Sequence, residues 1–118
     1  MNGIPEKISE SLLVAAKLIQ VCIGENETIL HFDNGTSVTL ECDVSLVVGR
    51  GSTKQLSGSV ATGAALLPLL GAGILAVDRK TQRDLVIQFE RDAIVTLHDS
   101  NEHYESFSIV NGAERVIV

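Results

Sequence analysis

Basic side chains are scarce in this chain: 9 Lys and Arg stand against 15 Asp and Glu in 118 residues, giving a net charge of −6 and a pI near 4.9. That shortage excludes a module that binds nucleic acid by neutralising phosphates, because an acidic surface repels the backbone instead of releasing its counterions. Cysteine is also sparse. Cys22 and Cys42 are too few for a disulfide framework and make no metal set, which needs about four ligands at close spacing. Residues 1–7 carry no basic stretch followed by an apolar run, so no signal peptide is read there and cytoplasm is the expected compartment. Disorder is excluded as well, since 45% apolar residues and a mean hydropathy of +0.26 supply enough burial to offset chain entropy. The length fits a single domain, 1–118, able to bury roughly two-thirds of its unfolded surface.

The most conspicuous absence is charge between Gln55 and Val77, a stretch almost continuously apolar from Ser59 onward. A bilayer span needs about 20 such residues, so a membrane helix has to be weighed. Against it stand Gly58, Gly63, Gly71, Gly73 and Pro68, and no aromatic residue marks either end. An internal repeat gives the stronger argument. With an offset of 57 residues, Leu12-Leu13-x-Ala15 meets Leu69-Leu70-x-Ala72, Leu18 meets Leu75, and Phe32 meets Phe89. Val38-Thr39-Leu40 then meets Val95-Thr96-Leu97, with Ile29-Leu30 opposite Val86-Ile87 and Glu27 opposite Asp84. The oily segment thereby maps onto 12–20, which contains Lys17, and reads as a short buried helix running into a buried strand.

Within each copy the period is that of β-structure. Strands are expected at 18–23, 28–32 and 37–42, with turns at Glu25-Asn26-Glu27 and at Asp33-Asn34-Gly35, a strong hairpin signal. The second copy gives 74–77, 85–89 and 93–98, with turns at 78–84 and Glu90-Arg91-Asp92. Strands at 104–110 and 114–118 flank Asn111-Gly112. Ile8, Leu12, Leu13 and Ala16 share one face of a helix over 5–16. Residues 49–63, rich in Gly, Ser and Thr, read as a joining loop with room for an edge strand. The expected fold is mainly β (α+β): two pseudo-repeated antiparallel β-meanders, about 5–48 and 64–118, packed together with one or two short helices.

No chemistry-bearing motif is complete. A meander sets Cys22 and Cys42 two strand spacings apart, about 9–10 Å and beyond disulfide reach, so both read as core thiols. His98 beside Asp99, and His103 beside Glu102 and Glu105, form acid–imidazole pairs on paper, but no nearby nucleophile accompanies them and they read as turn histidines. Gly49 to Lys54 lacks the spacing of a phosphate loop. No enzyme activity, metal or cofactor is expected.

The charge map says more. Residues 1–49 hold seven acids against Lys7 and Lys17, residues 50–91 hold six bases against three acids, and residues 92–118 hold five acids against Arg115. The acids of the outer segments fall mostly on turns and outward strand positions. Asp33, Glu41, Asp43, Asp99, Glu102 and Glu105 are therefore candidate steering groups for a cationic protein partner, with Tyr104 as an aromatic anchor.

At Phe32-Asp33-Asn34-Gly35-x-x-Val38, and again at Tyr104-Glu105-Ser106-Phe107-Ser108-Ile109, the chain resembles a family of small bacterial proteins of uncharacterised domain type. Some members look like cognate immunity proteins of secreted or contact-dependent toxins. The resemblance is best over 69–109; Asn34 stands where the pattern has Asp, and Glu90-Arg91-Asp92 replaces its Asp-Gly turn. It implies an inhibitor that occludes the active site of a cognate toxin domain, and an acidic inhibitor suits a basic nuclease. The competing expectation is a self-associating or membrane-contacting structural module built on residues 60–77.

Overall fold

The computed structural model describes Ile4 and residues 12–99, 106–112 and 114–118. It is mainly β, with two five-stranded antiparallel sheets and one short helix. The strands are β1 (Leu18–Ile23), β2 (Thr28–Phe32), β3 (Ser37–Leu40), β4 (Asp43–Val48), β5 (Lys54–Leu56), β6 (Ile74–Thr81), β7 (Asp84–Phe89), β8 (Ala93–His98), β9 (Phe107–Asn111) and β10 (Glu114–Ile117). Helix α1 (Ser59–Leu66) precedes a 3-10 turn at Leu67–Leu69. One sheet runs β1-β2-β3-β9-β10 and the other β5-β4-β8-β7-β6.

Alternation of side chains fixes which face of each strand turns inward. Thr28, Leu30 and Phe32 of β2, Val38 and Leu40 of β3, and Phe107 and Ile109 of β9 are buried on one sheet. Val44 and Leu46 of β4, Leu85, Ile87 and Phe89 of β7, and Val95 and Leu97 of β8 are buried on the other. All of these except Thr28 belong to a single core cluster. At its centre the rings of Phe32 and Phe89 stack at 6.5 Å between centroids, 22° from parallel.

The repeat is real in three dimensions and larger than the sequence alignment. Each sheet is the meander of one half, β1-β2-β3 or β6-β7-β8, completed by a hairpin from the other half. Thus β3 pairs with β9 and β8 pairs with β4. Residues 41–42 carry the chain between sheets in the first half, and in the second β8 and β9 likewise lie in different sheets. Gly49 and Gly112, at matching points after β4 and β9, both adopt positive φ, 59° and 57°.

Paired hydrogen bonds define a pseudo-twofold axis where the two meanders begin. Leu18 N–H donates to Ala72 O (3.0 Å) and Ile74 N–H to Ala16 O (2.9 Å). Ala15 N–H donates to Ile74 O (2.8 Å) and Gly71 N–H to Leu18 O (2.7 Å). Lys17 and Gly73 bridge across the axis. These pairs correct the lead-in of the repeat, which is one residue shorter than the offset read from sequence. Leu13, Ala16 and Leu18 correspond to Leu69, Ala72 and Ile74, all six buried, whereas Leu70 and Leu75 are exposed. Ala15 matches Gly71 and shares its left-handed backbone, φ 70° against 89°.

Three further expectations change. Strand β4 was not anticipated; it follows β3 after only two residues and its apolar run merges with the preceding alternation. The uncharged stretch 55–77 holds the end of β5, all of α1, the 3-10 turn and the start of β6, and α1 ends before Pro68. Among the described residues no helix is long and apolar enough to cross a membrane. The helix expected over 5–16 falls mostly outside the described residues.

The Glu90-Arg91-Asp92 turn uses two non-glycine residues with positive φ, Arg91 at 69° and Asp92 at 53°. Such backbone is costly without glycine, but Arg91 Nη1–H holds the turn by donating to Pro68 O (2.8 Å) and Leu70 O (2.9 Å).

Candidate functional site

The β1–β2 turn, the 41–42 crossover and the start of α1 meet at one corner of the molecule. Gly24 N–H donates to Glu27 O (2.8 Å), closing the turn. A Cβ at Gly24 would lie 2.7 Å from Glu27 Oε1, the far end of a side chain free to swing aside, and 3.3 Å from Glu27 O. Thr28 Oγ1–H donates to Ser59 O (2.9 Å) and Ser57 Oγ–H to Asp43 Oδ1 (2.9 Å), tying the helix start to both neighbours. Deeper along the helix, Gly63 lies so close to Ile23 that an added Cβ would stand 2.3 Å from its Cγ1. Between these elements is a cavity of about 70 Å³, lined among others by Asn26, Thr28, Glu41, Cys42, Asp43 and Thr62.

Four carboxylates surround this corner. Glu25, Glu41 and Asp43 are exposed and Glu27 is half-buried. None of them has a cationic partner among the described residues, where the close contacts between basic and acidic side chains are Arg83–Asp99 and His98–Asp84. Inside, Thr62 is only 2% exposed and its Oγ1 has no hydrogen-bond partner.

Cys42 sits in the same wall with its thiol pushed up from 9.0 to about 12, chiefly by burial and further by the charges of Asp43 and Asp99. It is a neutral thiol at physiological pH, not a nucleophile. The linkage sign is definite. Below pH 9 both folded and unfolded thiols are protonated; above it the unfolded chain releases a proton that the folded chain retains. Stability should therefore fall from pH 9 towards 12, by at most about 1.4 kcal/mol per pH unit. Urea titrations at pH 8 and 10 should show a loss that shrinks in Cys42→Ala; an equal loss in both proteins would refute the assignment.

The sequence candidates separate. Glu41 and Asp43 come together at this corner. Asp33 lies at the opposite end of the β2–β3 hairpin, where its Oδ1 accepts the Lys17 N–H (2.9 Å) and its own N–H donates to Lys17 O (2.9 Å). Glu90 treats Gly73 the same way in the second half, with Oε1 accepting its N–H at 2.6 Å. Asp33 is thus a fastening of the lead-in. Asp99 is not an outward steering group: it is 2% exposed, its Oδ1 accepts Ser106 Oγ–H (2.7 Å), and Arg83 lies 3.9 Å from its Oδ2. Glu102, Tyr104 and Glu105 lie outside the described residues.

Sequence reasoning missed a polar row on the outer face of the second sheet. Ser45 Oγ is 2.6 Å from His98 Nε2, and His98 Nδ1 is 2.7 Å from Asp84 Oδ1. The partner of His98 is therefore Asp84 across the β7–β8 ladder, not its neighbour Asp99. The order serine, imidazole, carboxylate matches a hydrolase triad, but its setting differs from one. Ser45 is in a strand flanked on both sides, with Gln55 and Thr96 as ladder partners, and its hydroxyl also donates to Gln55 Oε1 (2.8 Å). Backbone N–H groups committed to ladders are not free to hold an oxyanion. The row ties β5, β4, β8 and β7 together. The one signal in the sequence was the register, which sets Asp84 opposite His98 once the 90–92 turn is placed.

Comparison with protein-family models, with curated proteins and with solved structures finds no match for the chain.

Proposed function

We propose that this protein is a non-enzymatic inhibitor of the immunity type, which captures a cognate basic toxin domain, a nuclease, and occludes its active site. The observation that supports it is the corner formed by Glu25, Glu27, Glu41 and Asp43, where four carboxylates gather without a cation among the described residues. A folded chain gains nothing from such a cluster, since like charges at close range repel. A basic partner converts the repulsion into steering and pairing. A nuclease offers such a surface, because its phosphate-binding site must be cationic.

The test is protection. Co-expression with the toxin domain encoded by a neighbouring reading frame should restore growth of the host. Reversing Glu25, Glu41 and Asp43 to Lys should abolish that protection and slow association about tenfold or more at low salt. Growth arrest despite the wild-type protein would overturn the proposal, as would capture equally fast at low and high salt.

One observation favours the second reading, self-association. Ile19 and Leu75, matching residues beside the Lys17–Gly73 bridge, are 56% and 55% exposed. If they form a seam between two copies, sedimentation should give a dimer that Ile19→Lys with Leu75→Lys converts to monomer. A wild-type monomer at high concentration would dismiss it.

A further inference from the structure

The two sheets end in four edge strands, β1 and β10 in one, β5 and β6 in the other. A flat, uncharged edge is a template for a further strand, so folded proteins keep edges short or charged. Three of the four follow that rule. Strand β5 has three residues and opens on Lys54, β10 carries Glu114 and Arg115, and β6 carries Asp78, Arg79 and Lys80. Strand β1 has six residues and no charge.

Its register shows which backbone groups it leaves open. Gly24 N–H donates to Glu27 O, and pairing continues with Ile23 opposite Thr28, Cys22 opposite Ile29 and Val21 opposite Leu30. Hydrogen-bonded pairs alternate along an antiparallel ladder. Cys22 therefore turns its N–H and C=O to β2, while Val21 and Ile23 turn theirs outward. Leu18 also points outward, and Gly71 and Ala72 meet it there (2.7 and 3.0 Å). Helix α1 lies against the inner face of β1 and β2, with Gly63 upon Ile23 and Ser59 O accepting Thr28 Oγ1–H. Among the described residues no backbone group bonds the outward groups of Val21 and Ile23.

The second half shows what closes such an edge. Val77, Asp78 and Arg79 of β6, opposite Ile87, Val86 and Leu85, hold the ladder positions of Val21, Cys22 and Ile23. The half-buried Cys22 thus stands where β6 has the exposed Asp78.

We propose that β1 is the docking edge for a second copy of this chain, paired antiparallel with its own β1 about a twofold axis. One symmetric register uses every outward group: Val21 opposite Ile23 of the second copy and Ile23 opposite its Val21, making four N–H···O bonds. Cys22 then lies on the axis, opposite Cys22 of the second copy. Charge selects a copy as the occupant. Two chains of net charge −6 repel over most of their surface, and β1 with the uncharged stretch 55–77 beside it is where they can approach. On α1, Val60, Ala64 and Leu67 are exposed at i, i+4 and i+7, an apolar stripe. Because α1 lies on β1, joining the strands sets the two helices side by side, stripe against stripe. This pairing does not rest on the inhibitor reading, and it differs from the Ile19–Leu75 seam in leaving Leu75 outside.

The experiment combines sedimentation of the full chain with thiol trapping. The wild-type protein should form a dimer. In a non-hydrogen-bonded antiparallel pair the Cα atoms stand about 4.5 Å apart, within the roughly 4.4–6.8 Å that a disulfide spans. Diamide should therefore link Cys22 to Cys22, two thiols giving two protons and two electrons to its azo bond. The link should form in wild type and Cys42→Ser and not in Cys22→Ser. Cys22→Asp, which copies the charge of β6 at this position, should weaken the dimer about tenfold or more and keep the wild-type circular dichroism. Cys22→Lys should do the same, and an equimolar mixture of the two variants should recover a dimer. Leu75→Lys should leave the wild-type dimer intact. A monomer at every concentration, or a dimer indifferent to Cys22→Asp, would overturn the edge pairing. A dimer lost in Leu75→Lys and kept in Cys22→Asp would assign self-association to the axis seam instead. Toxin capture by a strictly monomeric protein would defeat the edge and leave the inhibitor role standing.

Discussion

Phe89→Ala should lower stability by about 3–5 kcal/mol, the largest loss expected from any single substitution in the described core. Phe89 is 1% exposed on β7, and its ring stacks on Phe32 of the opposite sheet at 6.5 Å. Two terms add: apolar area returns to water on unfolding less than before, and the cavity left behind is closed on both sides by sheets that cannot collapse onto it. Phe32→Ala should cost a similar amount. The double variant should cost less than the sum, by about 0.5–1.5 kcal/mol, because the stacked pair is lost only once. Urea denaturation of the four proteins measures all terms. A loss below about 1 kcal/mol for Phe89→Ala would mean that the two sheets do not close on this ring.

Separating the halves should have a still larger effect. A chain of residues 1–57 contains β1–β5, yet β3 and β4 belong to different sheets and do not pair with each other. A chain of residues 58–118 faces the same difficulty with β8 and β9. Each half alone has a three-stranded meander exposing its apolar face and a hairpin with nothing to join. Neither should show cooperative unfolding by circular dichroism, whereas an equimolar mixture should recover the sheet signal and a single transition. A first half that melts cooperatively as a monomer would contradict the exchange of hairpins.

The meanders themselves were legible. Strands such as Thr28–Phe32 and Ala93–His98 alternate apolar and polar residues, and Asp33-Asn34-Gly35 marks a turn on local chemistry alone. Period and turn propensity are properties of neighbouring residues. The exchange is not, since nothing near Leu40 states that the next strand will pair with β8 instead of β3. The same division runs through the candidate site. Glu41 and Asp43 stood out as charges, but their grouping with Asn26 and Thr62 needs the crossover and the helix to be in place. Asp99 misled because acidic residues next to a turn are usually solvated, whereas here it is 2% exposed and Ser106 donates a hydrogen bond to it.

The bridge between Lys17 and Gly73 also bears on the order of folding. It joins positions remote in the chain, and the entropy of closing such a loop rises only with the logarithm of its length. Equilibrium stability therefore suffers little from the distance. Rate is another matter, since the ladders β3–β9 and β8–β4 are remote in the chain as well and must form before most of the core is buried. A domain of this contact pattern belongs with the slower small proteins, folding in milliseconds to seconds. The amides of Leu18 and Ile74, which cross the axis in opposite directions, should exchange with solvent only through openings that release both sheets together.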